Sequence, residues 1–107
     1  MISFEDFQKI DLRIAKIIEV KEHPNADRLY VLQVEIGADE TKQIVAGIRG
    51  AYSPDELIGR KVVVINNLEP VIIRGEESKG MLLAASGEGM PVILVPERDV
   101  LEGAKIK

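Results

Sequence analysis

Hydrophobic and polar residues alternate along several short segments of this chain, and a two-residue period predicts β-strands. In the first segment, residues 12–20, the apolar residues Leu12, Ile14, Ile18 and Val20 fall on one side of the predicted strand. Five further segments are bounded by Gly, Pro, Asn or Asp, which favour turns. The predicted strands are 12–20, 29–36, 41–46, 61–65, 81–85 and 92–95, with a brief extended piece at 71–73.

Only two helices are predicted, and both are short. Ser3 is suited to cap a helix in the first ten residues, with Phe4 and Phe7 on one face. The run Ser53-Pro54-Asp55-Glu56 has an N-cap serine, a proline at the first helical position and the glutamate of a capping box. Gly59 is expected to end this second helix.

The order of these elements predicts an all-β fold. Strands 29–36 and 41–46 are expected to form a hairpin, and the small helix follows the third strand. A five-stranded OB-fold barrel fits this order best, because closing the sheet removes exposed edges, although an open sandwich has the same number of strands. Residues 74–80 are expected to be a polar loop, and the 107 residues to form a single domain, 1–107.

The residue inventory argues against catalysis and against metal sites. The chain has no cysteine and one histidine, which excludes disulfides, thiolate nucleophiles and His-rich metal sites. That histidine, His23, precedes a proline in a predicted turn and has no nucleophile next to it. We therefore expect no enzymatic activity, no metal and no cofactor.

Targeting signals and net charge add only a little to these predictions. The acidic N-terminus lacks a signal sequence, and no apolar run approaches the ~18 residues of a membrane span, so a cytoplasmic protein is expected. Fourteen Lys and Arg against eighteen Asp and Glu give a net charge of −4. This balance disfavours general nucleic-acid or membrane binding but leaves room for a local basic patch.

Two polar clusters in predicted loops are candidates for binding. The first is His23–Tyr30; the second combines Asn66–Leu68 with Arg74–Met81. Loops on a rigid barrel commonly carry binding residues, whereas simple turn chemistry or a solvated loop would explain the same residues without a ligand. Lys42 and Arg49 would extend a basic stripe if their loops lay on the same face.

A resemblance to a known family rests on motifs that follow one another along nearly the whole chain. The chain resembles the tRNA-binding domain family of the OB fold, found at the C-terminus of many methionyl-tRNA synthetases and in stand-alone tRNA-binding proteins. The motifs that carry the resemblance are Asp11–Lys16, His23–Tyr30, Val45–Arg49, Tyr52–Leu57, Asn67–Pro70 and Arg74–Ser86.

The resemblance implies a non-catalytic module that binds tRNA by shape at the outer corner of the L. The cations would neutralise phosphates, Asn67 and Ser78 would bond sugar or phosphate oxygens, and Met81 would lie against a base or ribose unless it packs in the core. The positions that match the family motifs are Asn25, Arg28, Asn67, Arg74, Ser78 and Met81, with Lys42, Arg49 and Lys79 as basic neighbours. The aromatics Tyr30 and Tyr52 are the candidates for base stacking, although both are also candidates for the core.

The resemblance also implies partners. It predicts a homodimer that serves an aminoacyl-tRNA synthetase in trans, with methionyl-tRNA synthetase as the expected partner. The N-terminal helix and the apolar tail residues Val95, Val100, Leu101 and Ile106 are candidates for the dimer interface, or else pack on the barrel. A dimeric peptide-binding export chaperone of the same fold is the alternative; the motifs 23–27 and 74–81 favour the tRNA-binding function.

Overall fold

A curved antiparallel sheet organises the chain in the computed structural model, which describes residues 1–107. Five strands lie in the order β3-β2-β1-β4-β7, and β10 pairs with the start of β1. The elements are α1 Phe4–Gln8, β1 Leu12–Glu22, β2 Tyr30–Glu35, β3 Thr41–Ala46, α2 Pro54–Leu57, β4 Lys61–Ile65, β5 Val71–Ile73, β6 Glu76–Ser78, β7 Met81–Leu82, β8 Ala84–Ser86, β9 Pro91–Ile93 and β10 Lys105–Ile106.

The sheet curls until its two edges meet. The Lys79 N–H donates to the Gln43 carbonyl at 2.9 Å, and the Val45 N–H donates to the Ser78 hydroxyl at 3.0 Å. These bonds join β3 to the segment that leads from β6 into β7. The result is a nearly closed five-stranded antiparallel barrel with two short helices, which confirms the predicted all-β barrel of the OB type.

The core of the barrel comes from the inward face of the strands and from α2. Burial of these apolar side chains is the main driving force for folding, and no disulfide adds to it. The largest side chains that are fully buried are Ile17, Leu32, Val34, Ile44, Leu57, Val62 and Val64.

The local signals at both helices are confirmed. The Ser3 hydroxyl accepts from the Asp6 N–H at 3.1 Å and caps α1. At α2 the Glu56 carboxylate accepts from the Ser53 N–H at 2.9 Å, and this bond lowers the pKa of Glu56. Neither helix is long enough to cross a membrane.

The residues predicted on one side of β1 do not share one face. Ile18 is predicted on the same side as Val20, but Ile18 is 41% exposed, whereas Val20 packs against the core together with the fully buried Ile17. The reason is a β-bulge: the pairing with β2 shifts between Ile17 and Glu19. A bulge inserts one extra residue into a strand and so exchanges its two faces from that point on.

The expected polar loop at 74–80 is mostly a hairpin. β5 and β6 pair antiparallel, and Arg74-Gly75 forms the two-residue turn with φ of 50° and 94°. Positive φ at both central residues is the requirement of a type I′ turn. The strand predicted at 81–85 is also divided, because β7 pairs with β4 and β8 pairs with β9.

Candidate nucleic-acid interface

The turn after β1 and the tip of the β5–β6 hairpin are held together by His23. The imidazole is only 3% exposed; its Nδ1 accepts from the Asn25 N–H at 2.9 Å, and its Nε2 lies 2.9 Å from the Ile73 carbonyl. Because Nδ1 accepts, Nε2 carries the proton and donates to Ile73. Both ring nitrogens are therefore used within the protein, and neither is free to act as a base.

Asn25, Arg28 and Arg74 meet at the hairpin tip, and we call them the tip cluster. The Asn25 amide donates to the Arg74 carbonyl at 3.4 Å, and the Arg74 guanidinium donates to the Asn25 carbonyl at 3.3 Å. Arg28 and Arg74 together line a hollow of about 430 Å³ that also contains Asp27. Both arginines are exposed, and neither has a carboxylate within ion-pair distance.

Arg49 supports the tip cluster by binding backbone carbonyls of the turn that carries Asn25 and Arg28. Its guanidinium donates to the Ala26 carbonyl at 3.1 Å and forms an ion pair with Glu22 at 3.0 Å. The Arg49 N–H also donates to the Arg28 carbonyl at 3.3 Å. The charge of Arg49 is therefore partly neutralised, and its contacts position the turn that carries Asn25 and Arg28.

Lys42, Lys79 and Met81 lie together at the other end of the hairpin, and we call them the base cluster. The Lys42 ammonium donates to the Asn66 carbonyl at 2.6 Å and to the Lys79 carbonyl at 3.3 Å. Lys79 is exposed and lies 3.7 Å from Glu77. Met81 pairs with Ile65 in the sheet, yet its side chain is 49% exposed, so it does not pack in the core.

The side chains of Asn67 and Ser78 are engaged by the protein itself. Asn67 accepts from the Asp11 N–H at 2.8 Å and donates to the Lys9 carbonyl at 2.8 Å. Ser78 is 2% exposed, and its hydroxyl donates to the Gly80 carbonyl at 3.0 Å as well as accepting from Val45. Direct bonds from this hydroxyl to an RNA do not fit its burial, whereas Asn67 is exposed and would have to exchange its partners.

The β5–β6 hairpin connects the two clusters into one face. Arg74 is at its tip and Lys79 follows its last residue, so about four residues at ~3.3 Å each separate them along β6. Three cations on this face have no carboxylate partner: Arg28, Lys42 and Arg74. A few focused cations of this kind can attract phosphates although the whole chain is acidic.

The two tyrosines that were candidates for base stacking are not exposed on this face. Tyr30 is buried and its hydroxyl donates to the Tyr52 carbonyl at 2.8 Å. The Tyr52 hydroxyl in turn accepts from the Ile93 N–H at 3.1 Å. Both tyrosines therefore belong to the core and its edge, so neither offers an aromatic face for base stacking.

Two supporting residues had no clear signal in the sequence. Simple turn chemistry is one interpretation of His23 from the sequence, whereas in the structure it links two loops that are fifty positions apart in the chain. Asp11 accepts from the Arg13 and Asn66 side chains, at 2.9 Å each, and these hydrogen bonds lower the pKa of the Asp11 carboxyl. Asp11 thereby fixes the position of Asn66, directly after β4, in the segment that leads to the β5–β6 hairpin.

Similarity to known proteins covers nearly the whole chain. Residues 12–105 match a protein-family model described as "Putative tRNA binding domain". A methionine–tRNA ligase of Thermococcus kodakarensis is 54% identical over 106 residues, which are 99% of this chain and 14% of that protein. This chain thus spans only about a seventh of the length of that relative.

Solved structures resemble the whole chain. The chaperone CsaA of Bacillus anthracis is 33% identical with a TM-score of 0.90, covering 100% of this chain and 99% of that one. A protein related to methionyl-tRNA synthetase from Pyrococcus horikoshii is 28% identical with a TM-score of 0.91, covering 100% and 98%. The fold is therefore shared by proteins described in two different ways.

Proposed function

This chain belongs to the tRNA-binding domain family, and on that premise we propose that it binds tRNA through the face that carries the tip cluster and the base cluster. The main support for the proposal is the contact between the 23–29 turn and the tip of the β5–β6 hairpin. Hydrogen bonds join these two segments and bring Arg28 and Arg74 to one hollow. Two neighbouring guanidiniums without carboxylate partners are suited to phosphate oxygens.

The nine candidate residues contribute to this face in different ways. Arg28, Lys42 and Arg74 neutralise phosphates, and Lys79 does so after leaving Glu77. Met81 lies against a sugar or base, and Asn25 and Asn67 are available at the surface. Arg49 and Ser78 act by holding the 23–29 turn and the β6–β7 connection in place.

The first test is a tRNA titration of Arg74→Ala against Arg98→Ala. Arg98 is an exposed arginine beside Glu97, away from the clusters, so its loss changes the net charge equally. We expect Arg74→Ala to weaken binding by about 1–3 kcal/mol and Arg98→Ala to have little effect. Equal losses in the two folded variants would contradict a site at the hairpin tip.

The salt dependence of binding tests how many cations take part. Each phosphate neutralised contributes a slope of roughly 0.7–0.9 to the plot of log affinity against log salt. The four cations of the proposal, Arg28, Lys42, Arg74 and Lys79, predict a slope of about −2.8 to −3.6. A slope near zero with intact binding would contradict recognition through phosphates.

We further propose that the domain acts by binding and performs no chemistry of its own, in the cytoplasm, in the service of methionyl-tRNA synthetase. The similarity to a methionine–tRNA ligase supports this partner, and the engagement of both nitrogens of the single histidine supports a binding role. Addition of the domain to a synthetase that lacks it should raise aminoacylation at low tRNA concentration. An unchanged KM for tRNA would contradict the role.

We also propose that two copies associate through exposed apolar residues. Phe4 of α1 and the segment around Val95, Val100 and Leu101 leave large apolar side chains in solvent, while Ile106 is half-buried in β10. Phe4 and Ile106 line one hollow, and grouped apolar side chains at the surface commonly mark an interface. Leu101→Asp should convert a dimer to a monomer in sedimentation equilibrium; a monomeric parent protein would contradict the proposal.

A peptide-binding chaperone is the second candidate, because CsaA matches the chain over its full length. A competition experiment between tRNA and an unfolded polypeptide distinguishes the two functions. If the proposed function is correct, tRNA binds at low salt and an unfolded polypeptide does not displace it. Tight binding of unfolded polypeptide without tRNA binding would favour the chaperone.

A further inference from the structure

A second hollow continues from the tip cluster on the far side of Arg28. Its volume is about 270 Å³, and it is lined by the loop after β3 and by the turn between β8 and β9. Arg28 lines both this hollow and the one that contains Arg74. Each volume is near the lower end of the ~300–1,000 Å³ that small-ligand sites occupy. Arg28 is the residue that the two hollows share, and we call the two hollows together the groove.

Glycine at two positions of this second hollow is not required by the fold. A Cβ added to Gly50 would meet no atom within 4 Å, and one added to Gly47 would meet only Leu29 at an ordinary 3.7 Å. Neither residue has the positive φ that favours glycine. Glycine without a conformational or packing reason is typical of a place where a ligand approaches the backbone closely.

The part of the second hollow that Met90 and Pro91 line is suited to a flat, uncharged group. Met90 is 48% exposed at the edge of the hollow, and Pro91 lies next to it. A flexible thioether adapts to the face of an aromatic ring. No carboxylate lines the second hollow; Asp27 lies in the first one, and Glu88 projects from the turn without lining either. The charge of Arg28 is therefore open to an anion from this side.

We propose that the groove binds one unpaired nucleotide of an RNA, with its phosphate on Arg28 and its base in the hollow between Gly50 and Met90. This inference rests on the proposed function and adds a single-stranded element to it. A base in an A-form duplex is stacked and paired, so only an unpaired nucleotide can turn its face into such a hollow. The site would serve a loop or a free end of the RNA.

The test fills the hollow and leaves the cations unchanged. Gly50→Leu adds a side chain whose Cβ would meet no protein atom within 4 Å, so the fold is expected to persist. Gln8→Leu, on the exposed α1, adds a similar apolar bulk away from the groove. Fluorescence anisotropy with a labelled single-stranded oligoribonucleotide, with a blunt RNA duplex as competitor, measures binding, and thermal unfolding checks each fold.

We expect Gly50→Leu to weaken binding of the oligoribonucleotide about tenfold and Gln8→Leu to leave it unchanged. Met90→Ala, which removes the wall without adding bulk, should weaken it in the same direction and keeps the test valid if Gly50→Leu unfolds. Unchanged binding in folded Gly50→Leu and Met90→Ala would overturn the inference. So would an extended peptide that loses affinity in these variants while the oligoribonucleotide does not.

Failure of this inference is distinguishable from failure of the proposed function. If Arg74→Ala weakens tRNA binding while Gly50→Leu and Met90→Ala do not change oligoribonucleotide binding, the tRNA face stands and the nucleotide pocket is rejected. If the parent protein binds neither tRNA nor the oligoribonucleotide at low salt, the proposed function itself is rejected, and the pocket with it.

Discussion

At the scale of single residues, Arg74 shows a conflict between stability and binding. It occupies the first central position of the β5–β6 turn with φ of 50°. A left-handed backbone costs an ordinary side chain about 1–2 kcal/mol, and Asn or Gly is preferred there. The exposed guanidinium makes only one hydrogen bond with the protein, at 3.3 Å, which does not offset this strain. A ligand contact would explain why arginine stands at this position.

Arg74→Asn should therefore stabilise the protein and weaken tRNA binding. The substitution creates the Asn-Gly pair that type I′ turns favour, so we expect the free energy of unfolding to rise by about 0.5–1 kcal/mol. Loss of the guanidinium should lower tRNA affinity as in Arg74→Ala. Urea unfolding and a tRNA titration measure the two effects, and a stabilised variant with full affinity would show that Arg74 does not contact the RNA.

At the scale of elements, His23 couples the turn after β1 to the β5–β6 hairpin. It is buried, and its ring satisfies the Asn25 N–H and the Ile73 carbonyl at the same time. Loss of the ring would leave both backbone groups without a partner. The two sides of the tip cluster would then keep the longer hydrogen bonds between Asn25 and Arg74 but lose their buried connection.

His23→Ala should lower tRNA affinity because it disorders the position of Arg74. We expect the double variant His23→Ala, Arg74→Ala to bind no more weakly than the weaker-binding single variant, since both changes act on the same contact. The tRNA titrations of the three variants form the cycle. Additive losses of affinity would mean that His23 acts independently of Arg74, and unchanged affinity in folded His23→Ala would mean that it supports only the stability of the fold.

The β-bulge in β1 leads to a second prediction at this scale. Ile17 is fully buried and Ile18 is 41% exposed, so truncation of these neighbours should have very different costs. We expect Ile17→Ala to lower the free energy of unfolding by about 2–5 kcal/mol and Ile18→Ala by less than about 1 kcal/mol. Denaturant unfolding measures both; the reverse order would contradict the inward position of Ile17.

At the scale of the whole molecule, Asp11 links the beginning of the barrel to the segment that supports the binding face. Hydrogen bonds from Arg13 and Asn66 hold the pKa of its carboxyl below the ordinary value of 3.8. A lowered pKa in the folded state means that the carboxylate stabilises the fold above the pKa of the unfolded chain. This stabilisation is lost as the pH falls through the lower pKa of the folded state.

Asp11→Asn should therefore destabilise the protein at neutral pH and have a smaller effect below about pH 3.8. Thermal unfolding of the parent protein and the variant from neutral to acidic pH tests this. Glu5→Gln, on the exposed α1, is the charge-matched control. A difference in stability that stays constant at low pH would show that the carboxylate charge is not the cause.

Much of the architecture follows from local patterns. The serine caps of both helices, the strands at 41–46 and 61–65, and the hairpin of β2 with β3 were predicted within one or two residues. Capping residues, turn residues and a two-residue period act over a few neighbouring positions, so the sequence determines them directly. The motifs that indicate the family are local in the same way.

Only the tertiary structure decided the details of the site. The exposure of Ile18, the strand at 76–78 and the engagement of Ser78 each depend on a partner strand that is distant in the sequence. The same holds for the meeting of Arg28 with Arg74, forty-six positions later, at one hollow. Periodicity along the chain contains no information on strand register or on which polar groups find partners, because long-range pairing fixes both.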